Sequence, residues 1–187
     1  MSDEKEIKQG TRANLSGKML ERIVIPMFCN YGYDVIQYSD VKKNPDIANK
    51  DKTIICNIPF TSIYNHRGKT EYLIINNHGE KWRVEAKNQQ SAGSVDEKLS
   101  YLLLNTIYSY PEDNVILLIE GSGWKEGSLI WIKNAVKNYN ANFDIYEQSL
   151  RILQPMLAPN QKPLTKKRIL VMNTSEFIAF FQKNFTD

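Results

Sequence analysis

The feature that most constrains this chain is a pair of strand-like runs joined by a short glycine-containing turn. Glu71–Asn76 and Lys81–Lys87 read as β-strands, and Asn77-His78-Gly79 reads as a three-residue hairpin loop with Gly79 in its left-handed position. If Asn76 and Glu80 flank the loop, the register places Glu71 opposite Glu85. Facing residues of a hairpin share a face, as do alternate residues of one strand. Glu71, Glu85 and Lys87 therefore project from one side at the open end. Tyr72, Ile74, Trp82, Val84 and Ala86 occupy the other side, which suits a core.

Two carboxylates facing each other repel unless something compensates. A divalent cation would compensate, and hard oxygen ligands suit Mg²⁺, which keeps several waters and takes one or two protein carboxylates. A lysine two residues on could hold or help deprotonate a water, or neutralise a phosphate. This is the minimal equipment for phosphodiester hydrolysis. On spacing alone, the same residues also fit a solvated cross-strand charge cluster.

The surrounding sequence predicts one α/β domain with a mixed central sheet flanked by helices. At 187 residues the chain can bury a real core, and 42% hydrophobic with 24% charged residues is ordinary globular usage. Residues 1–15 read as a flexible arm. Ser16 then caps a helix reaching Asn30, with Leu20, Ile23, Val24, Met27 and Phe28 on one face and a kink at Pro26. Strands follow at Asp34–Tyr38 and Thr53–Ile58, with a loop over Ser39–Asp51 between them. A capping box at Ser94-Val95-Asp96-Glu97 starts a helix that ends before Pro111. Val115–Ile119 is wholly apolar, as a strand buried on both faces would be. Ser128 caps a further helix, Phe143–Tyr146 reads as an edge strand, and Gln154–Lys167 as a basic loop. Ile169–Met172 is the last strand, and Asn173 with Glu176 caps the last helix.

Several function classes find no support. No apolar run approaches a membrane span, and the polar N-terminus lacks the apolar stretch of a signal peptide, so a cytoplasmic location is expected. Cys29 and Cys56 have no metal-ligand spacing and read as two reduced, buried thiols. His66 and His78 stand alone, against zinc chemistry. No phosphate loop or dinucleotide fingerprint appears, so no nucleotide cofactor is expected. The net charge of +3 neither requires nor opposes a nucleic-acid partner.

Val84-Glu85-Ala86-Lys87 resembles the strand that carries the (D/E)XK half of the PD-(D/E)XK nuclease superfamily. In that family an acidic residue stands on the preceding strand of the same hairpin, where Glu71 stands here, and a helix follows. Gly17-Lys18-Met19-Leu20-Glu21, ahead of the Gly32-Tyr33 turn, resembles the family's upstream helix with its inward glutamate. The resemblance covers roughly residues 16–120. It implies a restriction-endonuclease-like core, with Glu71, Glu85, Lys87 and Gln89 as catalytic residues, Gln89 orienting the water or a phosphate. Glu71, Glu85 and Glu21 would be metal ligands, and Mg²⁺ the cofactor, with Mn²⁺ able to substitute. It also implies cleavage of double-stranded DNA by a small type II restriction enzyme acting as a homodimer. A structure-specific nuclease (a Holliday-junction resolvase, or a repair or mobile-element nuclease) and a non-catalytic DNA-binding subunit are the alternatives. The chain departs from the family pattern in having no proline before Glu71. A literal Pro45-Asp46 exists, but it lies in a polar stretch with another strand between it and the hairpin. Glutamine follows the lysine in parts of the superfamily. Gln89 takes that place if the strand stays regular, and Gln90 if a bulge intervenes.

Other positions carry weaker signals. Lys98 opens the helix after the hairpin, and Trp124 and Lys125 lie in a glycine-rich loop. Lys162, Lys166, Lys167 and Arg168 form a basic cluster suited to phosphate. Lys98, Trp124, Lys125, Lys166, Lys167 and Arg168 are candidate DNA contacts, though a plain solvated surface is the default for each. Glu97 reads as helix-start charge.

Overall fold

The computed structural model describes residues 21–91, 96–145, 147–148 and 165–186. The expected arm at residues 1–15, the Ser16 cap, Ser94-Val95, Lys162 and most of the 154–167 loop fall outside them. The described part of helix α1 covers residues 21–30 and runs through Pro26. It is followed by β1 (Asp34–Gln37), α2 (Tyr38–Val41), a 3-10 turn (Pro45–Asn49), β2 (Thr53–Thr61), β3 (Arg67–Ile75) and β4 (Lys81–Asn88). Then come α3 (Glu97–Tyr108), β5 (Asn114–Glu120), α4 (Glu126–Ala141), β6 (Arg168–Met172) and α5 (Thr174–Asn184).

The six strands form one mixed sheet in sequence order. β2, β3 and β4 are antiparallel, β1 is parallel to β2, and β5 and β6 continue parallel to β4. The hairpin register is the one the turn predicts. Ile75 pairs with Lys81, Ile74 with Trp82 and Tyr72 with Val84. Gly79 has φ +74°, and the Asn76 N–H donates to the Glu80 carbonyl.

Strand alternation divides the core. Tyr72, Ile74, Trp82, Val84 and Ala86 pack with Ile116 and Leu118 against α1 and α5, where Phe28, Phe177, Phe181 and Phe185 cluster. α5 is secured by the expected capping box, Asn173 with Glu176. On the other face, Val115, Leu117 and Ile119 pack against α3 and α4. A third cluster, Val41, Ile55, Ile58, Leu73 and Ile75, lies under α2 and the 3-10 turn. β5 supplies both main clusters, which explains its uninterrupted apolar sequence.

Four expectations about elements need correction. Ser39–Asp51 contains α2 and the 3-10 turn, because Val41, Ile47 and Ala48 cover the third apolar cluster. Residues 143–145 are helical, not an edge strand, and Phe143 is buried beside Tyr139 of α4. α4 begins at Glu126 with Lys125 at its N-cap position, so Ser128 lies inside the helix and its hydroxyl donates to the Lys125 carbonyl. Cys29 is exposed; only Cys56 is buried.

Candidate active site at the open end of the hairpin

β3 and β4 stop pairing one residue before the carboxylates meet. The ladder ends at Tyr72–Val84, and Glu71 does not extend it. Instead, Glu71 Oε2 accepts the Ala86 backbone N–H at 2.7 Å, in place of a strand carbonyl. The hairpin therefore opens where Glu71, Glu85 and Lys87 come together, which refines the expectation that Glu71 directly faces Glu85. Lys87 Nζ contacts Glu85 Oε1 and lies 4.0 Å from Glu71 Oε1. The Glu71 and Lys87 side chains are about one-third exposed, whereas that of Glu85 is 6% exposed. The cluster thus has a buried floor and an accessible rim.

The neighbouring row of β2 and β3 is irregular too. Asn57 has φ +61° and lies between the Cys56–Tyr72 and Ile58–Thr70 pairs, in the row of Glu71. Ile55 and Ile58, three residues apart, both reach the same apolar cluster. A regular strand would send them to opposite faces. The left-handed residue resets the alternation.

Charge is not balanced at the open end. Two carboxylates share one ammonium, and Glu85 Oε2 is buried with no hydrogen-bond partner. Burial, and then the Glu71 charge, push the Glu85 carboxyl up to about 7, against the pull of Lys87. Burial works to lower the Lys87 pKa, but the charges of Glu85 and Glu71 outweigh it and hold Lys87 above its ordinary value. Lys87 is an ammonium here. An orphaned, buried carboxylate oxygen beside a second carboxylate is a donor set that fits a hard divalent cation. Glu85 Oε2 and Glu71 Oε1 are the atoms that would hold it.

The other candidates fall at different distances from this centre. Glu21 is exposed on α1; burial, and then the Glu21 charge, push the Cys56 thiol and the Tyr72 hydroxyl up. No group of three or more His, Cys, Asp or Glu among the described residues is placed to hold a metal, so Glu21 does not complete a three-carboxylate set. Gln89 lies beyond the end of β4, and its side-chain amide donates to the Ser91 carbonyl at 2.7 Å. Gln90 donates to Asn88. This turn is held by the loop after β5. Gly121 has φ +105°, and a Cβ there would lie 2.1 Å from the Gln89 carbonyl oxygen. Asp46 is exposed in the 3-10 turn, whose Asn49 accepts from Lys81 at the closed end of the hairpin.

Lys98 is exposed in the first turn of α3, and Lys125 pairs with Asp96 at 3.1 Å. Trp124 is no surface residue: it is 8% exposed and its indole N–H donates to the Glu120 carbonyl at 2.9 Å. Lys167 is buried and its ammonium donates to the carbonyls of Tyr110 and Glu112, so it serves the loop before β5. Lys166 lies over Phe143, and Arg168 over Trp82. Arg168 is in the row of Asn114 and Trp82, five residues before Lys87 along β4. That is roughly 17 Å at strand rise, so Arg168, with Lys166 and Lys167 before it, lies at the opposite end of the sheet from the carboxylates.

A second buried charge cluster stands two residues before Glu85. Arg83 is 1% exposed, forms a two-pronged ion pair with Glu112, donates to Thr70 and lies against the Tyr110 ring. Sequence reading missed it, because Glu112 lies beyond an intervening helix and nothing local links it to Arg83.

The chain belongs to the PD-(D/E)XK nuclease superfamily: a family model of that superfamily's domain matches residues 12–185. No curated protein and no solved structure matches it significantly. Nucleases of this superfamily generally use divalent metal ions, in keeping with the uncompensated carboxylates. No helix among the described residues is long and apolar enough to cross a membrane.

Proposed function

We propose that the protein is a Mg²⁺-dependent endonuclease that hydrolyses double-stranded DNA, acting as a small type II restriction enzyme in a homodimer. The observation that carries this reading is the Glu71–Glu85–Lys87 cluster, with two carboxylates to one ammonium and an orphaned Glu85 oxygen, opening to solvent at a splayed hairpin. Glu71 also serves the fold by accepting the Ala86 N–H, but the buried Glu85 with its unpartnered oxygen costs stability and has no such task. For this reason a nuclease is favoured over a DNA-binding subunit that merely keeps the fold.

In the reaction a water oxygen bonds to phosphorus and one phosphorus–oxygen ester bond breaks, leaving a phosphate monoester and a hydroxyl. A divalent cation held by Glu85 and Glu71 would supply Lewis-acid polarisation and a more acidic water. The protein residues do the positioning. Lys87, held protonated, donates to the attacking water or to a phosphoryl oxygen and offsets the charge that develops there. Glu71 braces Ala86 through its backbone N–H and so fixes the path of β4 between Glu85 and Lys87. A two-fold dimer would direct two such sites at opposite strands.

Incubation of supercoiled plasmid with Mg²⁺ or with EDTA tests the enzyme, and Lys87→Ala tests the site. Cleavage of a sequenced phage genome at fixed ends supports restriction, whereas preference for a four-way junction supports a resolvase. A wild-type protein that leaves all DNA intact with Mg²⁺ and Mn²⁺ would overturn the proposal.

A further inference from the structure

β1 is short. It pairs with Thr53–Cys56 and then turns into α2, leaving the outer half of β2, Asn57–Thr61, without a neighbour on that side. A groove of about 860 Å³ lies there, between α2 and the paired tips of β2 and β3. Lys42, Arg67 and Lys69 line it, with Tyr38, Asn57 and Thr61, and no acidic residue does. Two other surface depressions, beside α4 and β6, include Glu176 or Glu120 and Glu126 in their walls.

All three cations are exposed, and no carboxylate among the described residues pairs with them. The nearby Asp40 takes Lys43 instead, at 3.2 Å. Lys42 sits over the Tyr38 ring. Three cations without an ion pair along one groove wall make a local positive field.

The groove is built to stay open and to resist strand addition. Pro59 removes an N–H from the free edge of β2, which blunts it against pairing with another chain. Phe60 lies on the backbone of Gly68, where a Cβ would come within 2.5 Å of the ring, so the floor is a flat aromatic held by a glycine. Lys69 and Arg67 stand two and four residues before Glu71 on the same strand, roughly 7 and 13 Å away at strand rise. Asn57, on the groove wall, lies in the row of Glu71. The groove thus lies on the same two strands as the carboxylate cluster, toward the outer tip of the β2–β3 pair.

We propose that this groove binds the phosphodiester backbone of the duplex being cut, with Lys42, Arg67 and Lys69 each neutralising a backbone phosphate. The assignment rests on the reading of the protein as a DNA nuclease and adds the surface that holds the substrate. It also moves the DNA-binding surface away from Lys166 and Arg168, at the far end of the sheet. Phosphate contacts made by exposed cations carry affinity and salt dependence but little sequence information.

The test compares a groove variant (Lys42→Ala, Arg67→Ala, Lys69→Ala) with a far-end variant (Lys166→Ala, Arg168→Ala). Duplex affinity is measured by fluorescence anisotropy with Mg²⁺ across a salt series, on the Lys87→Ala background so that the duplex survives. Thermal melts check that each protein is folded; all five residues are exposed, so stability should change little. The groove variant is expected to bind more than about tenfold more weakly, and its log–log salt slope should be shallower by about 2.7, at about 0.9 per lost phosphate contact. The far-end variant should keep its slope. A plasmid assay on the chain with Lys87 intact separates loss of the groove assignment from loss of the nuclease reading. If that chain cuts DNA but the groove variant keeps affinity and slope, or if the far-end variant loses as much, the groove assignment is overturned alone. If the wild-type chain neither binds nor cuts DNA, the nuclease reading falls and the groove with it.

Discussion

Arg83 and Glu85 stand two residues apart on one strand, both nearly buried and both ionisable, yet their surroundings are opposites. Arg83 is fully answered: Glu112 grips it with both carboxylate oxygens, Thr70 accepts a further hydrogen bond, and Tyr110 covers the guanidinium. Glu85 shares a single lysine with Glu71 and has an oxygen with no partner. A buried ion pair closed by hydrogen bonds has a structural task, and losing either partner strands the other. A buried charge left partly unanswered stores a demand that a cation or a substrate can meet. One strand thus carries a rivet and a reactive site side by side, and the difference lies in which neighbours the fold brings to each.

The sharpest way to break this contrast is to remove each lysine or arginine in turn. Lys87→Ala should lower cleavage by about 10²–10⁴-fold, with a loss of melting temperature smaller than that of Arg83→Ala because Glu85 can take up a proton when the ammonium is removed. A plasmid-nicking time course and a thermal melt on the same preparation check both halves, and wild-type nicking would remove Lys87 from the site. Arg83→Ala should do the reverse and act on stability. It leaves the Glu112 carboxylate buried and alone, at a cost of about 3–5 kcal/mol, or roughly 10 °C at about 2–4 °C per kcal/mol. Denaturant titration measures it, and a loss below about 1 kcal/mol would mean that the pair does not hold the sheet.

Metal should affect only the open end. Mn²⁺ at about 100 times its Kd would stabilise the folded protein by roughly 2.7 kcal/mol, a rise of several degrees in melting temperature. Glu85→Gln should lose most of that rise, and equal shifts in the two proteins would place any bound metal elsewhere.

Acid should have a smaller effect, with a definite sign. In the metal-free protein the Glu85 carboxyl is raised from 4.5 to about 7, so the folded state holds a proton that the unfolded chain has released across that window. Stability from this group is complete below about 4.5 and is lost as pH rises through about 7. Glu85→Gln has no such loss. Its stability relative to wild type should therefore improve between pH 5 and pH 8, by roughly 2 kcal/mol. Melts in EDTA at the two pH values would show it, and a constant difference would mean that Glu85 is not held neutral by its burial. The smallest effect expected is that of Asp46→Asn, which should leave cleavage and stability near wild type. A dead Asp46→Asn enzyme with an active Glu71→Gln enzyme would reverse the assignment of the acidic partner.

Much of the hairpin was readable in advance because its information is local. Asn77-His78-Gly79 sets the turn, the turn sets the register, and the period of two assigns Glu85 and Lys87 to one face and Trp82, Val84 and Ala86 to the other. The capping box at Asn173 and Glu176 was readable for the same reason, as its partners are three residues apart. Trp124 and Lys167 were misplaced because a glycine-rich loop or a basic run says nothing about what packs against it. Arg67 and Lys69 did leave a trace, alternating with Glu71 on one strand, but a trace of that kind is common on solvated strands.

What the sequence determined by itself, then, is the catalytic half-motif and the apolar faces that bury it, since neighbours along a strand are set by backbone geometry alone. The tertiary structure decided the rest. It ended the ladder at Tyr72 so that Glu71 bonds Ala86, it matched Arg83 with Glu112 but left Glu85 short of a partner, and it stopped β1 early enough to open a basic groove beside β2. Each of these depends on residues distant in the chain, and the energy of a buried charge or an exposed edge is set by those neighbours and not by the residue's own place in the sequence.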